Sequence, residues 1–65
     1  MLKNRLKEIR MKEYMMSSKE FSKFLSVSNT TYSNWELGVS KPTLDKAIEI
    51  AKKLNRTVDE IWYDD

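Results

Sequence analysis

Two short helical patterns separated by two residues constrain the fold of this chain more than any other feature; they lie within Ser17 to Pro42, SSKEFSKFLSVSNTTYSNWELGVSKP. The first pattern spans Ser17 to Leu25. Its opening, Ser17-Ser18-Lys19-Glu20, reads as a capping box, with Ser17 capping and Glu20 reaching back. The second begins at Ser28, a further N-cap residue, and runs through Tyr32 and Trp35 to about Leu37. Only Ser26-Val27 lies between them. So short a linker makes the two helices cross steeply and leaves the first turn of the second helix projecting from the domain surface. The side chains of that turn are available to a partner.

A chain of 65 residues allows one domain over 1–65 and a small core, because a chain of this size buries only about 60% of its unfolded surface. There is no cysteine and no histidine. A disulfide framework and the usual zinc sites are therefore closed to it, no metal or other cofactor is expected, and helix packing has to suffice. Acid–base and nucleophilic catalysis lack their parts: no His or Cys, no glycine-rich phosphate loop, and no carboxylate pair that the fold would bury together. No signal peptide is recognisable, and no apolar run approaches the ~20 residues a bilayer needs. A soluble, cytoplasmic protein that is not an enzyme is expected.

Along the chain, Leu2, Leu6 and Ile9 fall on one face of a first helix that ends near Tyr14. After Gly38, a Val39-Ser40-Lys41-Pro42 loop leads to a helix with Leu44, Ala47, Ile48, Ala51 and Leu54 at spacings of three and four. Asn55 suits a left-handed close to that helix. Thr57-Val58-Asp59-Glu60 is a second capping box, opening a short last helix anchored by Ile61. No strand-like alternation, repeat or low-complexity tract interrupts this pattern. The expected fold is all-α, a compact five-helix unit. Its core is expected to gather Leu6, Ile9, Met16, Phe21, Leu25, Val27, Tyr32, Trp35, Leu44, Ile50, Ala51, Leu54, Val58 and Ile61, with Phe24 extending it over Tyr14 and Met15.

The net charge of +2 hides an asymmetry: residues 1–44 carry eight Lys/Arg against four Asp/Glu, whereas residues 45–65 carry four against six. The basic part contains the projecting helix. A polyanionic partner fits that distribution, since neutralising phosphates supplies much of the affinity of DNA-binding proteins; an ordinary solvated surface fits it too. With Tyr32 and Trp35 pointing inward, Asn29, Thr30, Ser33 and Asn34 form the outward strip of the second helix. Asparagine can pair through its amide with adenine, and threonine offers a hydroxyl together with a methyl that suits thymine. Asn29, Thr30 and Asn34 are the leading candidates to read bases, with Ser33 beside them. The same residues also suit a solvated, capping surface.

The order Phe21-Ser22, Leu25, Val27-Ser28, Thr31-Tyr32, Glu36, Gly38, Pro42, Ile50-Ala51 and Leu54 resembles the phage repressor and Cro type of helix-turn-helix domain, a lambda-repressor-like fold. The resemblance extends from Leu2 to Ile61 and rests on about a dozen spaced positions. It implies double-stranded DNA as partner, a base-reading role for Asn29, Thr30 and Asn34, and a backbone-gripping role for Ser40 and Lys41. Phosphate anchoring is also expected at Ser18 and Lys19, where the amides opening the first helix of the pair favour an anion. Lys23 and Arg10 add charge. This chain departs from the family in its turns, with Tyr14-Met15-Met16 and Ser26 where glycine is frequent. The family's alanine and glutamine are here Ser22 and Ser18, so a hydroxyl at Ser22 needs a backbone carbonyl or water. Arg10 lies one residue farther from the next helix than the arginine that in the family pairs with the equivalent of Glu36.

The resemblance implies a regulator binding as a homodimer to a palindromic operator. With no separate effector domain, repression by operator occupancy is the expected mode, and nucleoid association follows. Trp62 and Tyr63 are the candidate dimer contact, unless they pack back against the first or fourth helix. A competing reading is a protein-interaction module of the same fold, an antitoxin or anti-repressor.

Overall fold

The computed structural model describes residues 1–65. The order is β1 (Leu2–Asn4), α1 (Leu6–Ile9) continued by a π-helical turn (Arg10–Tyr14), α2 (Ser18–Phe24), α3 (Asn29–Leu37), α4 (Leu44–Lys53), α5 (Val58–Ile61) and β2 (Trp62–Asp64). Five helices thus make up most of the fold, as the sequence pattern indicates, and a two-stranded antiparallel ribbon joins the ends of the chain. No helix is long and apolar enough to cross a membrane.

Local side chains set the helix starts. Ser17 Oγ accepts from the Glu20 amide at 3.1 Å, and Glu20 Oε1 accepts from the Ser17 amide at 2.8 Å. The Thr57/Glu60 box is also formed, with the Thr57 amide donating to Glu60 at 2.8 Å. In both boxes the amide donors hold the glutamate below the usual carboxylate range. The helix ends use left-handed residues. Val27 N–H donates to Ser22 O at 2.9 Å and Ser26 N–H to Lys23 O at 3.0 Å, the paired bonds of a Schellman turn. The same pair recurs around Gly38 and around Asn55. Ser26 (φ 61°) and Met15 (φ 51°) adopt the left-handed conformation without being glycine. The turns therefore keep a glycine-like path while bearing side chains.

The π-helical turn after α1 accommodates one more residue than an α-turn in nearly the same rise. It explains how Arg10, displaced by one position, still faces α3.

The ribbon is a correction to the sequence reading, which starts a helix at Leu2 and finds no strand. Leu2 pairs with Asp64, Lys3 with Tyr63 and Asn4 with Trp62. Three-residue strands are too short to display alternation, and their pairing joins opposite ends of the chain. Leu2 consequently remains 40% exposed.

The core holds Leu6, Ile9, Phe21, Leu25, Tyr32, Trp35, Ile50, Ala51, Leu54 and Ile61 as expected, together with Ala47 and Trp62. Met16, Val27 and Val58 pack at its margin. Leu44 does not join it and is 70% exposed. The buried stripe of α4 is Ala47, Ile50, Ala51 and Leu54, and at 100° per residue Leu44 and Ile48 fall on its flank. Phe24 extends the aromatic cluster over Tyr14 and Phe21 at ring separations of 5.5 and 6.0 Å. Met15 stays outside that cluster, 82% exposed.

Candidate nucleic-acid interface

The two helices α2 and α3 are locked through their inward faces. Phe21 and Tyr32, both fully buried, meet edge to face at 5.4 Å. Ser22 is also buried, and its hydroxyl donates to the Lys19 carbonyl at 2.8 Å. That bond removes the cost of burying an unpaired hydroxyl. Ser28 caps α3 by accepting from the Thr31 amide at 3.1 Å, and its hydroxyl donates to Thr31 Oγ1 at 2.8 Å. Thr31 is thereby committed to the cap. Asn29 and Thr30 are exposed on the first turn, and Ser33 and Asn34 are half-buried one turn on. At 3.6 residues per turn, Asn29 with Ser33 and Thr30 with Asn34 form adjacent columns opposite Tyr32 and Trp35.

The far end of α3 is fixed from behind. Arg10 Nε donates to Glu36 Oε2 at 2.8 Å, Arg10 Nη1 donates to the Met16 carbonyl at 3.0 Å, and the Tyr32 hydroxyl also donates to Glu36. The Arg10 and Glu36 side chains are each only 13% exposed. The bond to Glu36 raises the Arg10 guanidinium above its ordinary pKa, and burial followed by that same carboxylate raises the Tyr32 phenol. A second tie comes from β1. The Asn4 amide donates to the Trp35 carbonyl at 2.9 Å, and its oxygen accepts from the Leu6 amide at 3.1 Å. One side chain thus accepts from the first amide of α1 and holds the last turn of α3.

A family model described as helix-turn-helix matches residues 6–61, which include the α2–turn–α3 unit, the helix before it and the two after it. The chain belongs to the Cro and phage-repressor type of helix-turn-helix family. No curated protein matches it significantly. This helix-turn-helix family is one of DNA-binding transcription regulators, typically without catalytic activity.

The remaining candidates lie around this helix-turn-helix unit. Ser18 is the first residue of α2 and half-buried, and Lys19 beside it is exposed. Ser40 and Lys41 are exposed in the α3–α4 loop, where the Ser40 amide donates to the Asn34 carbonyl at 3.4 Å. Arg10, by contrast, is spent on Glu36 and is no free cation. No group of three or more acidic side chains is placed to hold a metal ion.

Trp62 does not provide the free apolar surface expected of a dimer contact. It is 8% exposed, in β2, where pairing with Asn4 turns it into the core. Tyr63 is half-buried, with the Arg5 guanidinium 4.2 Å above its ring. Their packing within the chain is the alternative that the sequence left open.

Sequence reasoning missed Asn4 and the Tyr32 hydroxyl. A polar residue just before the first helical run was a signal for Asn4, since asparagine commonly bonds to the amide two residues on. Tyr32 and Glu36 stand four residues apart, the spacing of neighbours on one helix.

Proposed function

We propose that this chain is a sequence-specific, homodimeric repressor that acts by occupying a palindromic operator and reads the major groove of double-stranded DNA with α3. The observation that carries this reading is the division of labour along α3. Its inward residues and last turn are held by Phe21, Arg10 and Asn4, while the polar side chains of Asn29 and Thr30 on its first turn are exposed and form no bond within the chain. A rigid helix with free amides and hydroxyls at its leading end is what direct readout of base edges requires.

In this reading Asn29, Thr30 and Asn34 contact bases, with Ser33 between them. Lys19, Lys41, Ser40 and the amides opening α2 at Ser18 contact phosphates. Base contacts specify and phosphate contacts position. The test is the salt dependence of binding to mixed-sequence duplexes. Affinity should fall linearly on logarithmic axes, and Lys41→Ala should reduce the slope by about 1. DNA affinity that is absent or insensitive to salt would overturn the reading and favour a protein-interaction module.

A further inference from the structure

The helical segment that opens the fold has one face that neither the core nor α3 uses. Leu6 and Ile9 enter the core, and Arg10 turns to Glu36 of α3. Lys7, Glu8, Met11 and Lys12 are left exposed. With Arg5 and with Tyr63 of β2 they line an open groove of about 650 Å³, the largest depression of the surface. No residue of α2, α3 or the α3–α4 loop lines it. The groove is therefore separate from the outward strip of α3.

We propose that this groove docks an acidic segment of another protein, one that carries a bulky apolar side chain among its carboxylates. Charge complementarity selects the acid. Three cations line the groove against the single carboxylate of Glu8. Arg5 and Lys7 have no ion-pair partner in the chain. Lys12 meets Glu8 only at 3.4 Å, with both side chains more than half exposed, an arrangement worth little and readily exchanged for another carboxylate. Arg5 is already held in place, because its guanidinium lies 4.2 Å above the Tyr63 ring and its Nη1 donates to the Glu60 carbonyl at 3.1 Å. Its other N–H groups form no bond within the chain and offer a carboxylate a planar, preoriented set of donors. The acids at the end of β2 do not fill the groove themselves. Asp64 is paired with the Met1 amine and Asp65 with Lys3, each at 2.9 Å.

The apolar part of the lining selects a protein over a nucleic acid. Met11 is 54% exposed at the groove, and a flexible thioether adapts to apolar side chains of varied shape. Glu8 stands among the cations. It repels a continuous run of phosphates, whereas a peptide can set an uncharged residue opposite it.

The inference stands apart from the DNA reading, and its test needs no operator. The nitrogen-labelled full chain is titrated with the peptide Glu-Glu-Glu-Leu-Leu-Glu-Glu-Glu and followed by NMR, with circular dichroism checking that each variant is folded. Saturable shifts confined to the residues around Arg5, Lys7, Met11 and Tyr63 are expected. Lys7→Glu and Lys12→Glu should each weaken binding by about 3-fold or more. Met11→Ser should remove the advantage of this peptide over one with serine in place of both leucines. Lys52→Glu, an equal charge change on α4 outside the groove, should leave the affinity unchanged. No saturable shift up to about 1 mM peptide overturns the proposal. So does a loss from Lys52→Glu equal to that from Lys7→Glu, which would mean that net charge alone attracts the peptide. A mixed-sequence duplex that shifts the same groove residues at lower concentration than the peptide also overturns it, and makes this face a second nucleic-acid contact.

Discussion

Removal of the Glu36 carboxylate should cost far more than the loss of a surface ion pair. Glu36→Ala leaves the Arg10 guanidinium, 13% exposed, without its anion and leaves the buried Tyr32 hydroxyl without the acceptor it uses. Breaking a fully buried pair from one side costs about 3–5 kcal/mol, and an unsatisfied buried donor about 1–3. Partial exposure and the surviving Arg10 bond to the Met16 carbonyl lower the total to about 2–4 kcal/mol. An exposed pair would cost at most about 1. At about 0.05–0.15 kcal/mol per residue, a chain of this length has roughly 3–10 kcal/mol in all, so the loss is a large share of the fold. The assay is urea unfolding followed by circular dichroism for Arg10→Ala, Glu36→Ala and the double variant, with the m-value as check on two-state behaviour. The coupling between the two sites should be about 1 kcal/mol or more. Strict additivity, with Glu36→Ala costing less than about 1 kcal/mol, would refute the reasoning and return both residues to the solvated surface.

Ser26→Gly should stabilise the fold by up to about 1 kcal/mol, because φ 61° is strained for serine and open to glycine; the melting temperature should rise by several degrees, and a fall would show that the Ser26 side chain does more than fill the turn. Asn4→Asp keeps the oxygen that accepts from Leu6 but loses the donor to the Trp35 carbonyl, so DNA affinity should fall by more than the change in melting temperature explains, and Asn4→Ala should lose both bonds. Asn34→Ala should cost about 1–3 kcal/mol on the preferred site and relax one base position, as measured by competition between site variants; equal losses on every duplex would remove it from the readers. The chain has no histidine, so stability should vary little between about pH 6 and 8. Glu13, Glu20 and Glu60 have folded-state pKa values below the ordinary carboxylate value, Glu13 through Arg56 and the other two through their capping amides. Their contribution is complete above the unfolded value of about 4.3 and is lost as pH falls through the lower folded values. Urea midpoints should therefore drop in acid, and Glu20→Gln should flatten part of that drop.

The parts of the fold that sequence made legible are those whose signals span four residues or fewer. Both capping boxes, the Ser28 cap and the left-handed Asn55 form between near neighbours, and so could be read directly. The inward faces of α2 and α3 followed from their spacing. The ribbon was hidden because Leu2 and Asp64 stand at opposite ends of the chain, and no periodicity survives in three residues. The choice between the two readings of Trp62 stayed open for the same reason, since its burial depends on that pairing. Leu44 was misassigned because four-residue spacing identifies a helix more readily than it fixes which side of the stripe faces inward. At the candidate site, the outward strip of α3 followed from helix periodicity once Tyr32 and Trp35 were taken as core. The supports behind it depend on contacts across 26 residues for Arg10 with Glu36 and 31 for Asn4 with Trp35. Of these, only the first was suggested, by resemblance.

The central claim, that α3 reads a two-fold operator, is tested most directly by selecting bound duplexes from a random pool at near-physiological salt and sequencing them. A palindrome with half-sites about one helical turn apart, whose positions change when Asn29, Thr30 or Asn34 is replaced, is the expected result. Recovery of no motif, with binding that vanishes on modest addition of salt, would contradict it.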